Sequence, residues 1–151
     1  MKLAIGCDEL AFPLKTKIIN FLDSYKNIEI FDFGVFSDEP IDYPDIAEKV
    51  TLSIVNNECE RGILICGTGI GMAIVANKFP GIRAAQVYDP YSAERARKSN
   101  NAQIMTLGAL TMGSETAKCL VGIWLNCDFD GGRSSRKVDK INCIDQQYRQ
   151  K

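Results

Sequence analysis

The stretch that decides the fold is R-G-I-L-I-C-G-T-G-I-G, residues 61–71. The apolar run at 63–65 is too short for a buried helix, and its isoleucines favour a strand. Glycines at 67, 69 and 71 then predict a sharp turn whose backbone N–H groups can approach a ligand. Residues 72–76, M-A-I-V-A, predict the start of a helix. Strand, glycine-rich turn and helix together favour an anion-binding unit, with Cys66 at the tip of the strand.

Length and composition predict one ordinary globular domain over residues 1–151. The chain is 46% hydrophobic with a net charge of −1, which gives no electrostatic case for nucleic acid or a membrane surface. No apolar stretch approaches the roughly 20 residues of a membrane span, and the first residues lack the basic-then-apolar order of a signal peptide. We therefore expect a cytoplasmic protein.

The six cysteines do not form a metal-binding pattern. There is no C-x-x-C pair and no histidine in the chain, so no zinc site is indicated. Disulfides are not expected in a reducing compartment. Cys7 and Cys66 each end a predicted strand. The other four are predicted to be small buried hydrophobic residues: Cys59, Cys119, Cys127 and Cys143.

Strands and helices alternate along the whole chain. Strands are predicted at 2–7, 27–33, 63–65, 82–87 and 102–107, and helices at 10–25, 45–56, 72–76, 89–98, 114–126 and 136–147, with polar loops at 37–44 and 128–135. This alternation predicts an α/β fold, a Rossmann-like doubly wound three-layer sandwich with a five-stranded parallel sheet. Ligands bind such sheets beyond the carboxyl ends of the strands, where Asp8, Glu9, Cys66 and Asp89 are expected.

The glycine loop fits neither common nucleotide motif. It lacks the G-x-G-x-x-G spacing and follows the third strand instead of the first, and it has no Lys-Ser/Thr of a P-loop. A dinucleotide or nucleoside triphosphate site is therefore not favoured. No cofactor or metal is expected.

The sequence resembles the ribose-5-phosphate isomerase B and galactose-6-phosphate isomerase family of aldose–ketose isomerases. The resemblance runs from the first strand to the last helix. It is carried by G-C-D (6–8), D-Y-P (42–44), I-C-G-T-G-I-G-M (65–72), A-N-K-F-P-G-I-R-A (76–84), Y-S-A-E-R-A (91–96) and G-G-R (131–133).

The resemblance implies proton transfer between C1 and C2 of a small sugar phosphate through a cis-enediolate. The family cysteine that matches Cys66 is the base that serves both carbons. Amide dipoles at a helix N-terminus favour thiolate over thiol, so the glycine loop is expected to activate this cysteine. The loop residues Gly67, Gly69 and Gly71 are expected to hold the enediolate oxygen, with help from the Thr68 hydroxyl.

The remaining site residues follow from the same resemblance. Asp8 matches an aspartate that binds sugar hydroxyls, and Asn100 matches an asparagine beside the enediolate. Tyr43 is expected to line the site, and Arg133 with Lys137 or Arg136 to bind the phosphate. Family sites lie between subunits, with Asn100 and the C-terminal basic residues of one subunit reaching Cys66 of the other. This implies a homodimer or a tetramer, with the last helix contributing to the dimer interface. Asp8 and Thr68 could equally cap the helices that follow them.

Several positions depart from the family pattern. Pentose-phosphate members carry a histidine where this chain has Glu9, and a ring-opening histidine where it has Ser99. A serine hydroxyl is a poor acid–base group near neutral pH. A phosphate-binding arginine of those members falls on Leu110. Glu9 would repel a phosphate unless that end of the pocket has been rebuilt. Glu9 and Ser99 are both expected to contact the substrate.

These departures leave several functions open. Isomerisation of ribose 5-phosphate and ribulose 5-phosphate is the family default. A tetrose 4-phosphate cannot close a furanose ring, so an enzyme for erythrulose 4-phosphate needs no ring-opening histidine. A non-phosphorylated sugar is a further possibility. The chain could also be the cysteine-bearing subunit of a hetero-oligomeric galactose-6-phosphate isomerase, or, least favoured, a sugar-binding protein.

Overall fold

The computed structural model describes residues 1–149, and Gln150 and Lys151 lie outside the described residues. The sheet contains five parallel strands in the order β2-β1-β3-β5-β4. These are β1 (Lys2–Cys7), β2 (Glu29–Asp32), β3 (Arg61–Cys66), β4 (Ala84–Gln86) and β5 (Ile104–Gly108). The parallel sheet confirms the predicted α/β doubly wound fold.

Helices cover both faces of this sheet. They are α1 (Phe12–Leu22), α2 (Tyr43–Val55), α3 (Ile70–Ala76), α4 (Pro90–Lys98), α5 (Ser114–Leu125) and α6 (Ser135–Arg149). α2 contacts α3, whereas α5 contacts both α1 and α4, so the helices form two separate layers. Because right-handed crossovers that progress in opposite directions lie on opposite faces, the strand order accounts for both layers.

Three sequence predictions need correction. α2 begins at Tyr43, inside the loop predicted at 37–44, because Pro44 in the first helical turn needs no N–H partner. The helix predicted from residue 10 begins with a 3₁₀ turn, Glu9–Ala11, in which Asp8 accepts a hydrogen bond from the Ala11 N–H. Cys119 and Cys143 are exposed, since each falls on the outer side of its helix, whereas Cys59 and Cys127 are buried as predicted.

A buried lysine joins α1 to the segment after β2. Lys15 is 1% exposed, and its ammonium donates to both carboxylate oxygens of Asp32 at 2.6 and 2.7 Å and to the carbonyl of Val35 at 2.6 Å. The ammonium also lies over the rings of Phe12 and Phe36. The charge is thus neutralised where water is excluded, which a buried ammonium requires.

The C-terminal helix α6 attaches to the rest of the chain through polar contacts. Asp145 accepts a hydrogen bond from the Gly81 N–H, and Asn142 accepts one from Arg83. Of its apolar residues, Val138 is buried, whereas Ile144 and Tyr148 are 58% and 64% exposed. The helix therefore keeps apolar surface in contact with solvent in the single chain.

Candidate active site

The glycine loop between β3 and α3 holds Cys66 at the carboxyl end of a central strand. Cys66 is 5% exposed, and its Sγ accepts a hydrogen bond from the Gly69 N–H at 3.1 Å. A hydrogen bond to sulfur stabilises the thiolate relative to the thiol. The Thr68 hydroxyl oxygen accepts from the N–H of Ile70, the first residue of α3, at 3.3 Å.

The loop is shaped by two close approaches that exclude side chains. Gly69 has φ +81°, and a Cβ at this position would lie 2.9 Å from the carbonyl carbon of Leu107 in β5. A Cβ at Gly71 would lie 2.5 Å from Cζ of Tyr43. Tyr43 therefore packs against the backbone at the start of α3, next to the loop that holds Cys66. The structure brings these predicted site residues together.

Two hydrogen bonds on the other side of the loop were not predicted. The Gln86 side-chain amide donates to the carbonyl of Thr68 at 2.6 Å, and the buried Thr106 hydroxyl donates to the carbonyl of Gly69 at 2.9 Å. Gln86 and Thr106 are register partners on β4 and β5, so their side chains lie on the same face of the sheet. The carbonyls of the loop are thus fixed to the sheet.

Asp8 lies beside the glycine loop at the point where the strand order reverses. Its neighbour Cys7 pairs with Ile65, so Asp8 follows β1 as Cys66 ends β3. Burial raises the pKa of the Asp8 carboxyl, while the backbone N–H groups of Ala11 and Gly67 act in the opposite direction. Asp8 is 7% exposed. A carboxyl group is therefore held close to Gly67 at the topological switch point, where such sheets bind ligands.

The two cysteines at strand ends are not equivalent. Cys7 is fully buried, and burial raises the pKa of its thiol to about 12, against the opposing charge of Lys15. Its Sγ therefore stays protonated at neutral pH. The backbone N–H of Val35 lowers the pKa of the Cys7 thiol, but burial outweighs it. Cys66 lies in the glycine loop, where its Sγ accepts a hydrogen bond from the Gly69 N–H. Of the two, Cys66 is the candidate for a reactive thiol.

Two of the residues that depart from the family pattern, Glu9 and Leu110, lie on the side of the sheet that carries the loop. Glu9 accepts a hydrogen bond from the Ile41 N–H at 3.3 Å, which connects the end of β1 to the segment that leads to Tyr43. Leu10 and Leu110 are 57% and 72% exposed, and both would contact a Cβ placed at Gly67. The loop at Gly67 is therefore bordered by two apolar side chains.

The structure does not bring Ser99 and Asn100 to Cys66 within one chain. They lie at the end of α4, before β5, and the Asn100 carbonyl accepts a hydrogen bond from Arg83, which precedes β4. Cys66 pairs with Gly108 at the other end of β5, four residues beyond Ile104 and thus about 13 Å further along the strand. The two sets of predicted site residues occupy opposite edges of the sheet.

Arg133 belongs to the edge that carries Asn100. It lies in the 3₁₀ turn Gly132–Ser134, just after Asp130, whose N–H donates to the carbonyl of Lys98 at 3.1 Å. Arg133 and Lys137 are exposed and have no ion-pair partner within residues 1–149. Two cations are therefore available next to the segment that contains Asn100.

Residues 1–149 contain no cluster of three or more potential metal ligands. Over the same residues, none of the helices is both long enough and apolar enough to span a membrane.

Comparisons with known proteins all point to one family and cover almost the whole length of this chain. The family model described as Ribose/Galactose Isomerase matches residues 3–141. The chain is 60% identical to a ribose-5-P isomerase B of Listeria innocua, over 99% of this chain and 100% of the relative. It is 48% identical to a D-erythrulose-4-phosphate isomerase of Pectobacterium atrosepticum, over 97% of each chain. The structure of ribose-5-phosphate isomerase B from Clostridium thermocellum superposes with a TM-score of 0.94 at 43% identity, covering 98% of this chain and 99% of that one.

Proposed function

The chain belongs to the ribose/galactose isomerase family and is an aldose–ketose isomerase of a sugar phosphate; we propose that it acts on a substrate of the ribose 5-phosphate type, with Cys66 as the base. The observation that carries the assignment of Cys66 as the base is the hydrogen bond from the Gly69 N–H to Cys66 Sγ at the carboxyl end of β3. It is the contact a thiolate base needs.

The reaction follows from that geometry. The Cys66 thiolate removes the proton from C2, the C–H electron pair forms a C1=C2 double bond, and the carbonyl pair moves to O1. The thiol then returns the proton to C1 while a proton passes from O2 to O1, which leaves a carbonyl at C2. Amides of the loop 67–71 stabilise the enediolate oxygen. Asp8 and the Thr68 hydroxyl bind the sugar hydroxyls, and Tyr43 closes the side of the pocket.

We further propose that the working enzyme is a homo-oligomer with sites shared between subunits. Three observations support this. Asn100 and Arg133 lie at the sheet edge opposite Cys66, apolar side chains around the loop are exposed, and α6 keeps an exposed apolar side. In this arrangement one subunit supplies Cys66 and its partner supplies Ser99, Asn100, Arg133 and Lys137. The six free thiols also favour a reducing compartment, and hence the cytoplasm.

A second substrate class is favoured by a specific observation. The chain contains no histidine, and Ser99 occupies the position of the ring-opening group. A tetrose 4-phosphate has no furanose ring to open, so an erythrulose 4-phosphate substrate would make that group unnecessary. The carboxylate of Glu9, held by the Ile41 N–H, would then bind a sugar hydroxyl.

The two substrates can be separated in one experiment. The purified chain is incubated in deuterated water with ribulose 5-phosphate or with erythrulose 4-phosphate, and exchange at C1 is followed by NMR. Turnover of the pentulose phosphate supports the first assignment, and turnover of the tetrulose phosphate alone supports the second. Cys66→Ala is expected to abolish both isomerisation and exchange, and retained exchange would refute Cys66 as the base. Cys119→Ala, at an exposed cysteine, is the matched control.

Complementation tests the shared site. Cys66→Ala and Asn100→Ala are each expected to be inactive as pure oligomers. After mixed refolding, hybrid oligomers contain one intact site, so activity should return. If mixing restores nothing, the two residues do not meet across an interface.

A further inference from the structure

One peptide unit of the glycine loop is hydrogen-bonded at both of its ends. The Thr68 carbonyl accepts the Gln86 side-chain amide at 2.6 Å, and the N–H of the same peptide, that of Gly69, donates to Cys66 Sγ at 3.1 Å. We propose that Gln86 is a positioning residue that favours the thiolate of Cys66 through this single peptide. The proposal rests on the proposed function only in giving that thiolate a catalytic use.

The physical basis is the rigid geometry of a peptide. Its C=O and N–H groups point in opposite directions in one plane, so a donor that fixes the oxygen also fixes the direction of the N–H. A hydrogen bond at the oxygen also polarises the N–H and strengthens the bond it donates, by about 10–30% in condensed-phase estimates. Both effects favour the negatively charged sulfur over the neutral thiol.

The hydrogen bond from Gln86 to the loop starts from a residue that is fixed in the sheet. Gln86 lies on β4 and is partly buried, and its register partner Thr106 on β5 is fully buried. Thr106 holds the next carbonyl along the loop, that of Gly69. The N–H of that second peptide, on Ile70, is directed at the Thr68 hydroxyl and not at sulfur. The two side chains therefore make equivalent bonds to neighbouring peptides, of which only one leads to Cys66.

That difference supplies a matched control. Gln86→Met keeps the length of the side chain and removes the donor, and Thr106→Val does the same at the neighbouring peptide. The rate of iodoacetamide alkylation is measured against pH for each full-length protein, and the Cys66 peptide is resolved by mass spectrometry. Exposed Cys119 in the same samples reports any general change in reactivity. Substrate is not needed.

We expect Gln86→Met to raise the pH midpoint of Cys66 alkylation by about half a unit, which lowers the thiolate fraction about threefold below the midpoint. Thr106→Val should leave the midpoint unchanged, and Cys119 should be unaffected in both. An unchanged midpoint in Gln86→Met, or an equal rise in Thr106→Val, overturns the proposal. Gln86→Leu repeats the test with a differently shaped side chain in case the methionine variant does not fold.

The same variants separate this inference from the proposed function. If Cys66 is the base, the acidic limb of the kcat/KM profile moves with the alkylation midpoint. If the midpoint moves and the kinetic limb does not, the link from Gln86 to Cys66 stands and Cys66 is not the base. A kinetic limb that moves without the alkylation midpoint refutes the link.

Discussion

A methyl group at Gly69 should disrupt the active-site loop more than its size suggests. Gly69→Ala places a side chain on a residue with φ +81°, which costs about 1–2 kcal/mol for an L-residue in the left-handed region. The new Cβ would lie 2.9 Å from the carbonyl carbon of Leu107 and 3.0 Å from its oxygen. These are backbone atoms of β5, which is hydrogen-bonded on both sides, so the loop has to move instead.

The expected loss combines two costs. Overpacking against an unyielding neighbour costs about 1–3 kcal/mol, so the backbone and packing costs together give roughly 2–5 kcal/mol. Most of this range lies below the approximately 5–15 kcal/mol by which a domain is stable, so the variant should fold. Because the Gly69 N–H moves away from Cys66 Sγ, activity should fall about 100-fold, the usual effect of misplacing a reacting group by an ångström.

Two other glycines provide controls for urea unfolding at one protein concentration. Gly81 has φ +73° with open space around its Cβ position, so Gly81→Ala should show only the backbone cost of about 1–2 kcal/mol. Gly113 has φ −76° and equally open surroundings, so Gly113→Ala should cost only the loss of a favourable N-cap residue of α5, about 1 kcal/mol or less. If Gly69→Ala is no more destabilising than Gly81→Ala, the contact with Leu107 does not constrain the loop and the reasoning fails.

Two further substitutions test buried charges. Lys15→Met leaves the Asp32 carboxylate without its ammonium partner and should lower the free energy of unfolding in urea by about 2–4 kcal/mol. The double variant Lys15→Met/Asp32→Asn should regain part of that loss. A loss under about 1 kcal/mol in the single variant would contradict a structural role for the pair. Burial raises the pKa of Asp8, so the folded state binds this proton more tightly than the unfolded chain, and ionisation of Asp8 lowers stability as the pH rises above its ordinary pKa of 3.8. Asp8→Asn keeps the acceptor for the Ala11 N–H, so it should raise Tm at pH 7 by about 1–3 °C, and this gain should shrink towards pH 3.8. Activity should fall at least about tenfold. A lower Tm at pH 7 would mean that ionised Asp8 stabilises the fold, which contradicts the reasoning.

The strand and turn of residues 61–71 could be predicted from the sequence because neighbouring residues specify them. The isoleucine-rich run and the glycines of residues 61–71 specify a strand and a turn by backbone preference alone. The start of α2 was missed because a proline ends one pattern and can equally begin the next, so Tyr43 was predicted two residues outside its helix.

The side-chain hydrogen bonds that hold the loop carbonyls could not be predicted from the sequence. Gln86 and Thr106 reach carbonyls 18 and 37 residues away, and side-chain-to-backbone bonds over such separations leave no periodic pattern. The position of Asn100 could have been derived, however. A helix that leads into a parallel strand ends at the amino edge of the sheet, opposite the edge where Cys66 ends its strand.

The strand order also has a consequence for synthesis. β5 is the last strand to leave the ribosome, yet it lies between β3 and β4. Until Gly108 has emerged, β3 presents an unpaired edge, and the segment after Cys66 has neither Leu107 behind it nor Thr106 to bind its carbonyl. A nascent chain that stops before residue 104 therefore carries Cys66 without the strand that holds the neighbouring loop, and the glycine loop takes its final form only when the last strand has been made.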